Sequence, residues 1–382
     1  MKIAVLAPQL IPTHPAGGQM LKVVQALASE YEFTVFGRII DESLKGKVRF
    51  YRMQIPMRPL LASYLAQFWL YGRLFKHLDL EQRFDVVHSI EVSSPFATVV
   101  TMHYCSAAAL HLVRRGVLRY RGIRKPYYRL LYEIMNREEQ HVVSNPYLKR
   151  LIVVSEGLKR EILHHYHPSV EPIVIPNSVD VERFVYSRQH RELMRRKMGF
   201  TENEVIGIIC ALGDWQRKGL DVLIEAVALL PQNLIKILVV GGGPIQTYRK
   251  MCEKRGVANA FLFTGFVRDV ERFYSAGDFF ILPTAYEAFP LVAIEAAAVG
   301  LPLLVTRVNG LEDFVEEGVN GFFIPREPRG IADAILSLVD NQQKLREMGR
   351  EAQRRAQMFR VENMVDAYRQ LYQNLCLAKR EE

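Results

Sequence analysis

The sequence predicts a doubly wound α/β fold built twice, as two halves of similar size, and three observations predict it. At 382 residues the chain exceeds what one hydrophobic core usually organises. Short apolar runs alternate with amphipathic segments in both halves, the pattern of strand–helix–strand units on a parallel sheet. Between the halves, around Pro172-Ile173-Val174-Ile175-Pro176-Asn177, two prolines and polar turn residues interrupt the pattern before it restarts. The expected division is 1–178, 179–360 and a closing segment 361–382. A cleft between the two halves is the default place for a site.

The elements follow in order. Residues 2–7 read as a first buried strand, 15–19 as a glycine-containing loop, 20–28 as an apolar periodic helix and 33–36 as the next strand; 85–88 and 151–154 read as later strands of the same sheet. In the second half a strand at 205–209 leads to a helix at 220–230. Strands at 235–240, 261–263, 279–282 and 303–305 follow, with a Gly-Gly-Gly-Pro turn at 241–244. Residues 361–375 are again periodic and apolar on one face.

Composition excludes several classes. With 49% hydrophobic and 24% charged residues and no low-complexity tract, both halves are expected to fold. Cys105, Cys210, Cys252 and Cys376 have neither metal-ligand nor redox spacing, which points to reduced core thiols in a cytoplasmic protein. The first residues suit a buried strand better than a signal peptide, and the uncharged stretch between Arg58 and Arg73 is shorter than the roughly 18–20 residues of a membrane span. The net charge of +9 is uneven: residues 1–180 hold 23 Lys and Arg against 15 Asp and Glu, and the remainder is nearly balanced. Nucleic acid, an anionic membrane face and an anionic acceptor each fit that basicity.

The most specific motif is Glu287-Ala288-Phe289-Pro290-Leu291-Val292-Ala293-Ile294-Glu295, set after a strand and opening an apolar helix. Its carboxylates lie eight positions apart, so loop and helix together can meet one extended polar ligand. The free N–H groups at the helix start suit a diphosphate. The plainer reading is that both acids merely favour a helix start and a solvated face. A second motif, Gly213-Asp214-Trp215-Gln216-Arg217-Lys218-Gly219-Leu220, places adjacent cations in a loop before a helix. Such a pair either opposes charge building on a leaving group or is simply exposed.

Taken with Gly300-Leu301-Pro302, Gly265-Phe266-Val267, Asn309-Gly310, Gly318-Val319-Asn320-Gly321, Pro176-Asn177-Ser178-Val179-Asp180 and Gly17-Gly18, these motifs resemble the large retaining GT-B glycosyltransferase family numbered four. The resemblance covers most of the chain and is strongest from about Gly213 to Pro325. It implies two facing Rossmann-like domains, an N-terminal one for the acceptor and a C-terminal one for the nucleotide-sugar, with the last helix packing back on the first. It also implies that Glu295 binds the donor ribose and Glu287 the transferred sugar. Phe289, Leu291 and Val292 would line sugar and phosphates through their amides, Pro290 having none to give. Val267 would offer backbone contacts to the base, and Gly17 and Gly18 would let the chain approach the phosphates. Arg217 and Lys218 would hold the leaving group, and His103 would lie near the transferred sugar. By themselves two glycines are a turn, and a lone histidine is more often a core residue. The family often carries an arginine six residues before the lysine, where this chain has Leu212; the adjacent pair instead resembles the subgroup containing lipopolysaccharide-core glucosyltransferases.

The implied reaction moves a hexose, with retention of configuration, from a nucleotide-diphosphate sugar (a UDP-sugar ahead of a GDP-sugar) to a glycan, lipid-linked or lipopolysaccharide-type acceptor. No separate cofactor is expected, because the Gly241–Pro244 run lacks the spaced dinucleotide fingerprint. No Asp-x-Asp triad is present, so the basic pair is expected to stand in for a metal. Between His111 and Tyr132 seven Lys and Arg residues interleave with aromatic and aliphatic ones and no acid, a surface for an anionic leaflet or a phosphorylated acceptor. Residues 60–75 either add apolar contact to that surface or pack in the core. With no nucleic-acid module, a nucleic-acid partner is not expected. A nucleotide-sugar epimerase on the same fold and a non-catalytic sugar-nucleotide-binding protein are the rival readings.

Overall fold

The computed structural model describes every residue except 57–58, 79–82, 92–93, 95, 119–123 and 382. The chain divides into two compact units: Met1–Ser178 with Val361–Glu382, and Val179–Arg360.

In the first unit the strands are β1 (Lys2–Leu6), β2 (Gln9–Leu10), β3 (Glu32–Gly37), β4 (Ile39–Ile40), β5 (Arg49–Arg52), β6 (Val86–Ile90), β7 (Val99–Met102), β8 (Arg150–Val153) and β9 (Ile173–Val174). Among the described residues they form a parallel sheet in the order β5-β3-β1-β6-β7-β8-β9, with β2 and β4 paired separately. The central strands are buried along most of their length, which is why they read as unbroken apolar runs rather than alternating ones. Among the described residues, five strands of this unit escape the sequence pattern. Strands β2 and β4 are only two residues long; edge strand β5 is Arg-Phe-Tyr-Arg and largely exposed; β7 is a buried four-residue Val-Val-Thr-Met; and β9 occupies two residues of the proline-flanked junction, which therefore completes the first sheet.

The expected loop at 15–19 is instead the first turn of the helix Pro15–Leu27. Pro15 supplies a preset φ at the first helical position, and His14 Nδ1 accepts the Gly17 N–H at 2.9 Å as the N-cap. The glycines are needed for contact rather than for a turn: a Cβ on Gly17 would stand 1.8 Å from the Gln9 carbonyl oxygen. At the other end of the chain, the helix Val361–Glu381 buries Met364, Val365, Tyr368, Leu371, Tyr372 and Leu375 in the first unit's core beside Leu21, Val24 and Phe33. Its Tyr372 hydroxyl lies 2.7 Å from Nδ1 of the buried His88, whose Nε2 lies 2.8 Å from Thr101 Oγ1. Burial pushes the His88 imidazole down to about 3, so this clamp is uncharged at neutral pH.

The second unit holds β10 (Ile206–Cys210), β11 (Lys236–Val240), β12 (Phe261–Gly265), β13 (Phe279–Leu282), β14 (Leu303–Val305) and β15 (Gly321–Phe323). They form a parallel sheet in the order β12-β11-β10-β13-β14-β15. In each unit the order reverses at one strand pair, β1/β6 and β10/β13. The loops leaving those strands diverge, and the crevice between them is where doubly wound sheets take ligands. Both units are thus Rossmann-like. Among the described residues no helix is long and apolar enough to cross a membrane.

Candidate active site

The second unit's reversal point carries the charged motif. The loop after β10 runs through Gly213 and Gly219, both at positive φ (82° and 83°), a backbone shape that side chains resist. Gly219 is pressed so closely on the end of β13 that a Cβ would fall 2.1 Å from the Pro283 carbonyl oxygen. Further stitches join the same two loops: the Ala285 N–H donates to the Arg217 carbonyl at 2.7 Å, and an Arg217 Nη1 donates to the Tyr286 carbonyl at 2.6 Å.

These contacts bring Arg217, Lys218 and Glu287 together. Glu287 Oε1 accepts from Lys218 Nζ at 2.6 Å, from Arg217 Nη1 at 2.9 Å and from the Thr284 hydroxyl at 2.9 Å. Only 9% of the Glu287 side chain and 11% of the Lys218 side chain are exposed, against 23% for Arg217. Burial works against the Glu287 charge, yet the Lys218 and Arg217 charges and the bonds from Lys218 and Thr284 outweigh it, and the carboxyl is held below its usual range. Asp214, whose Oδ2 lies 3.6 Å from Arg217 Nε, adds a second and more exposed carboxylate, and Arg217 is the more accessible of the two cations.

Glu295 lies within the helix Leu291–Ala298. The Tyr274 hydroxyl lies 3.1 Å from Glu295 Oε2 and 3.2 Å from the Val292 carbonyl. Cys210, the last residue of β10, feels both groups: burial first, then the Glu295 charge, pushes its thiol up to about 12, while Tyr274 and Lys218 oppose the rise. Pro290 caps the helix, so the amides of Leu291 and Val292 open its first turn without partners inside it. Phe289 is fixed from behind by an edge-on contact with Phe359, ring centroids 5.2 Å apart. Val267 sits in the loop after β12, beside the largely exposed Phe266.

Gly17, Gly18 and His103 belong to the first unit. Both glycine amides are already engaged, Gly17 by the His14 side chain and Gly18 by the His14 carbonyl at 2.7 Å. The first sheet's own reversal point holds a cavity of about 200 Å³, lined by Gln9, His14, Gly17, Arg38, Gln67 and Glu91 among others. His103 Nδ1 stands 3.2 Å from Glu91 Oε1 without hydrogen-bonding alignment. Glu91 itself adopts φ 59°, a region a non-glycine residue enters at a cost and one that is enriched at functional sites. Just beyond His103, the helix Ser106–Arg114 is capped by the buried Glu139, which accepts from the Ser106 N–H (2.8 Å), the Ser106 hydroxyl and the Tyr166 hydroxyl (2.6 Å). Burial pushes the Glu139 carboxyl up to about 7 in spite of those three donors.

Sequence reasoning missed Thr284 and Tyr274, which hold the two motif acids, and Glu91 beside His103. A lone Thr, Tyr or Glu carries no motif, and only the strand order shows which loops meet. In the basic segment, Arg119 and Arg121 lie outside the described residues. Arg114 and Arg129 both reach Glu133 on the helix Arg124–Val143, at 3.4 and 3.0 Å, which offsets part of the charge.

Two family models match the chain: Glycosyltransferase Family 4 over residues 18–183 and Glycosyl transferases group 1 over residues 203–341. The D-inositol 3-phosphate glycosyltransferase of Corynebacterium glutamicum is 32% identical over 236 residues, which is 58% of this chain and 56% of that protein. The chain spans little more than half the length of the curated relatives it matches. Among solved structures, WaaG, a glycosyltransferase involved in lipopolysaccharide biosynthesis, superposes with a TM-score of 0.77 at 18% identity, covering 96% of this chain and 98% of that one. Anabaena HepE, solved with UDP and glucose, gives 0.71 at 21% identity, covering 98% of this chain and 100% of that one. At these identities the likeness is one of fold, and that fold is GT-B.

Proposed function

Because the chain belongs to glycosyltransferase family four, we propose that it is a retaining, metal-independent hexosyltransferase. Its donor is a nucleotide-diphosphate sugar, a UDP-sugar in preference to a GDP-sugar, and its acceptor is a glycan, lipid-linked or lipopolysaccharide-type molecule used in cell-surface polysaccharide or glycolipid synthesis. The observation that carries this reading is the Arg217–Lys218–Glu287 cluster at the second sheet's reversal point. As the glycosidic bond breaks, the nucleoside diphosphate gains negative charge, and a preorganised pair of cations lowers that barrier without waiting for solvent. Glu287 keeps the pair charged and in place through Oε1, leaving Oε2 to accept from a hydroxyl of the transferred sugar. Glu295, held by Tyr274, takes the ribose hydroxyls, and the amides of Phe289, Leu291 and Val292 face the phosphates. That HepE was solved with UDP and glucose supports the choice of nucleotide. The leaving phosphate takes the acceptor's proton.

The first unit also supports peripheral contact with an anionic membrane. Leu65, Trp69 and Arg73 are exposed at successive four-residue steps on the helix Leu60–Leu78, with the Arg73 guanidinium 4.7 Å from the Trp69 ring centroid. Basic and aromatic side chains together suit a headgroup layer.

The test is calorimetric binding of UDP-, GDP- and ADP-sugars with EDTA present, for wild type, Glu295→Ala and Arg217→Ala, followed by product analysis with and without acceptor. One nucleotide-sugar binding tightly, and weakening in both variants, supports the site. Binding that ignores both substitutions refutes it, and release of an altered sugar nucleotide without acceptor makes the protein an epimerase instead.

A further inference from the structure

The loops that carry Arg217, Lys218 and Glu287 share a support that no motif marks. Arg326 follows β15, and its side chain is 25% exposed. Its Nε donates to the Pro283 carbonyl at 3.1 Å and its Nη2 to the Gln216 carbonyl at 2.9 Å, with Asp221 Oδ1 4.0 Å from that Nη2. Gln216 immediately precedes Arg217. Pro283 immediately precedes Thr284, whose hydroxyl reaches Glu287, and its carbonyl is also the atom against which Gly219 is pressed. A single planar guanidinium therefore spans the two main chains that deliver the cation pair and its carboxylate. On the other side of Arg217 the same loops are tied by the Ala285 N–H to the Arg217 carbonyl. The Gln216–Arg217 segment is thus held from both sides.

We propose that Arg326 is a positioning residue for the leaving-group cations: its forked contact with the Gln216 and Pro283 carbonyls sets where Arg217 and Lys218 meet a nucleoside diphosphate. The inference rests on the donor reading above. Arg326 touches no reacting atom in this role; it acts through Arg217. Two carbonyls facing different loops suit a guanidinium, whose donors diverge in a fixed plane. An ammonium on a flexible stem satisfies them less well. Releasing one edge of the loop moves the cations by a fraction of an ångström to an ångström, and misplacement on that scale costs up to about 100-fold in rate. The effect falls on the diphosphate and spares the base and ribose, which the Arg217–Lys218 loop does not hold.

The experiment uses the full chain with Arg326→Met, which fills similar space without donors, and Arg326→Lys, beside Arg217→Met and the double variant. Affinity for UDP and for UMP is measured by calorimetry, with kcat and KM for the donor that wild type uses. The expected result for Arg326→Met is a loss of roughly 10-fold in UDP affinity with UMP affinity nearly unchanged, and a kcat lowered about 10- to 100-fold at a KM within about threefold of wild type. Arg326→Lys should recover part of both. In the Arg217→Met background the further loss should be small, because the two residues act as one unit. Equal losses for UDP and UMP, additive losses in the double variant, or no loss at all would overturn the proposal while leaving the donor reading intact. If Arg326→Met does not fold, Arg326→Lys decides: an unchanged UDP-to-UMP ratio overturns the proposal and a reduced one supports it. Wild type that binds no nucleoside diphosphate removes the donor reading, and the role of Arg326 with it.

Discussion

Replacing Glu287 with Gln keeps the side chain's size and one carbonyl-type oxygen but removes the charge that Arg217 and Lys218 share. Breaking a buried pair by neutralising one partner costs about 3–5 kcal/mol, because the other charge stays out of water. Arg217 keeps the Tyr286 carbonyl at 2.6 Å and Asp214 at 3.6 Å, so the low end applies, about 3 kcal/mol. For a unit of this size that lowers Tm by roughly 6–12 °C. Bound diphosphate supplies the missing negative charge, so saturating UDP should raise the variant's Tm by more than it raises wild type's. The assay is a thermal melt at pH 7 without metal, with and without UDP. The pH dependence has a definite sign. A carboxyl held below its ordinary value contributes stability that is present above about pH 4.5 and lost as pH falls through the depressed folded value. The gap between wild type and variant should therefore persist at pH 5 and close only in stronger acid. A variant melting within about 2 °C of wild type at pH 7, or a UDP shift no larger than wild type's, would refute the reasoning.

Glu139 has the opposite sign: burial raises its carboxyl from 4.5 to about 7, so its contribution is full below pH 4.5 and is lost as pH rises through 7, by up to about 3 kcal/mol. Glu139→Gln should flatten the fall in Tm between pH 5 and pH 8, and an unchanged slope would place its origin elsewhere. Gly17→Ala drives a methyl into the Gln9 carbonyl and should cost about 1–3 kcal/mol in chemical denaturation. Gly72→Ala, in a helix with no atom within 4 Å of the new Cβ, should be neutral or stabilising and serves as the control.

Much of the fold was legible because parallel strands buried on both faces leave unbroken apolar runs. The strands expected at 279–282 and 303–305 agree with β13 and β14 to the residue, and β1, β10 and β11 agree to within one. The misses have physical causes. Edge strand β5 shows water a row of arginines and tyrosine and so carries no apolar signature. The helix start at Pro15 was hidden because a histidine, outside the usual capping residues, supplies the cap. Two glycines beside it favour a loop on propensity, but close packing on Gln9 overrides that preference.

For the site, residue types and spacing marked two candidate motifs, a cation pair in one loop and acids eight positions apart in another, and the roles proposed for them came from the family resemblance. Only the tertiary structure decided how they are used. Strand order places β10 beside β13, although more than sixty residues separate them in sequence, and so makes Glu287 the shared counter-ion of Arg217 and Lys218. The supports Thr284, Tyr274 and Arg326 act through single hydrogen bonds between distant segments. Such bonds depend on where backbones end up in space and leave no periodicity or composition along the chain for a reader of sequence to find.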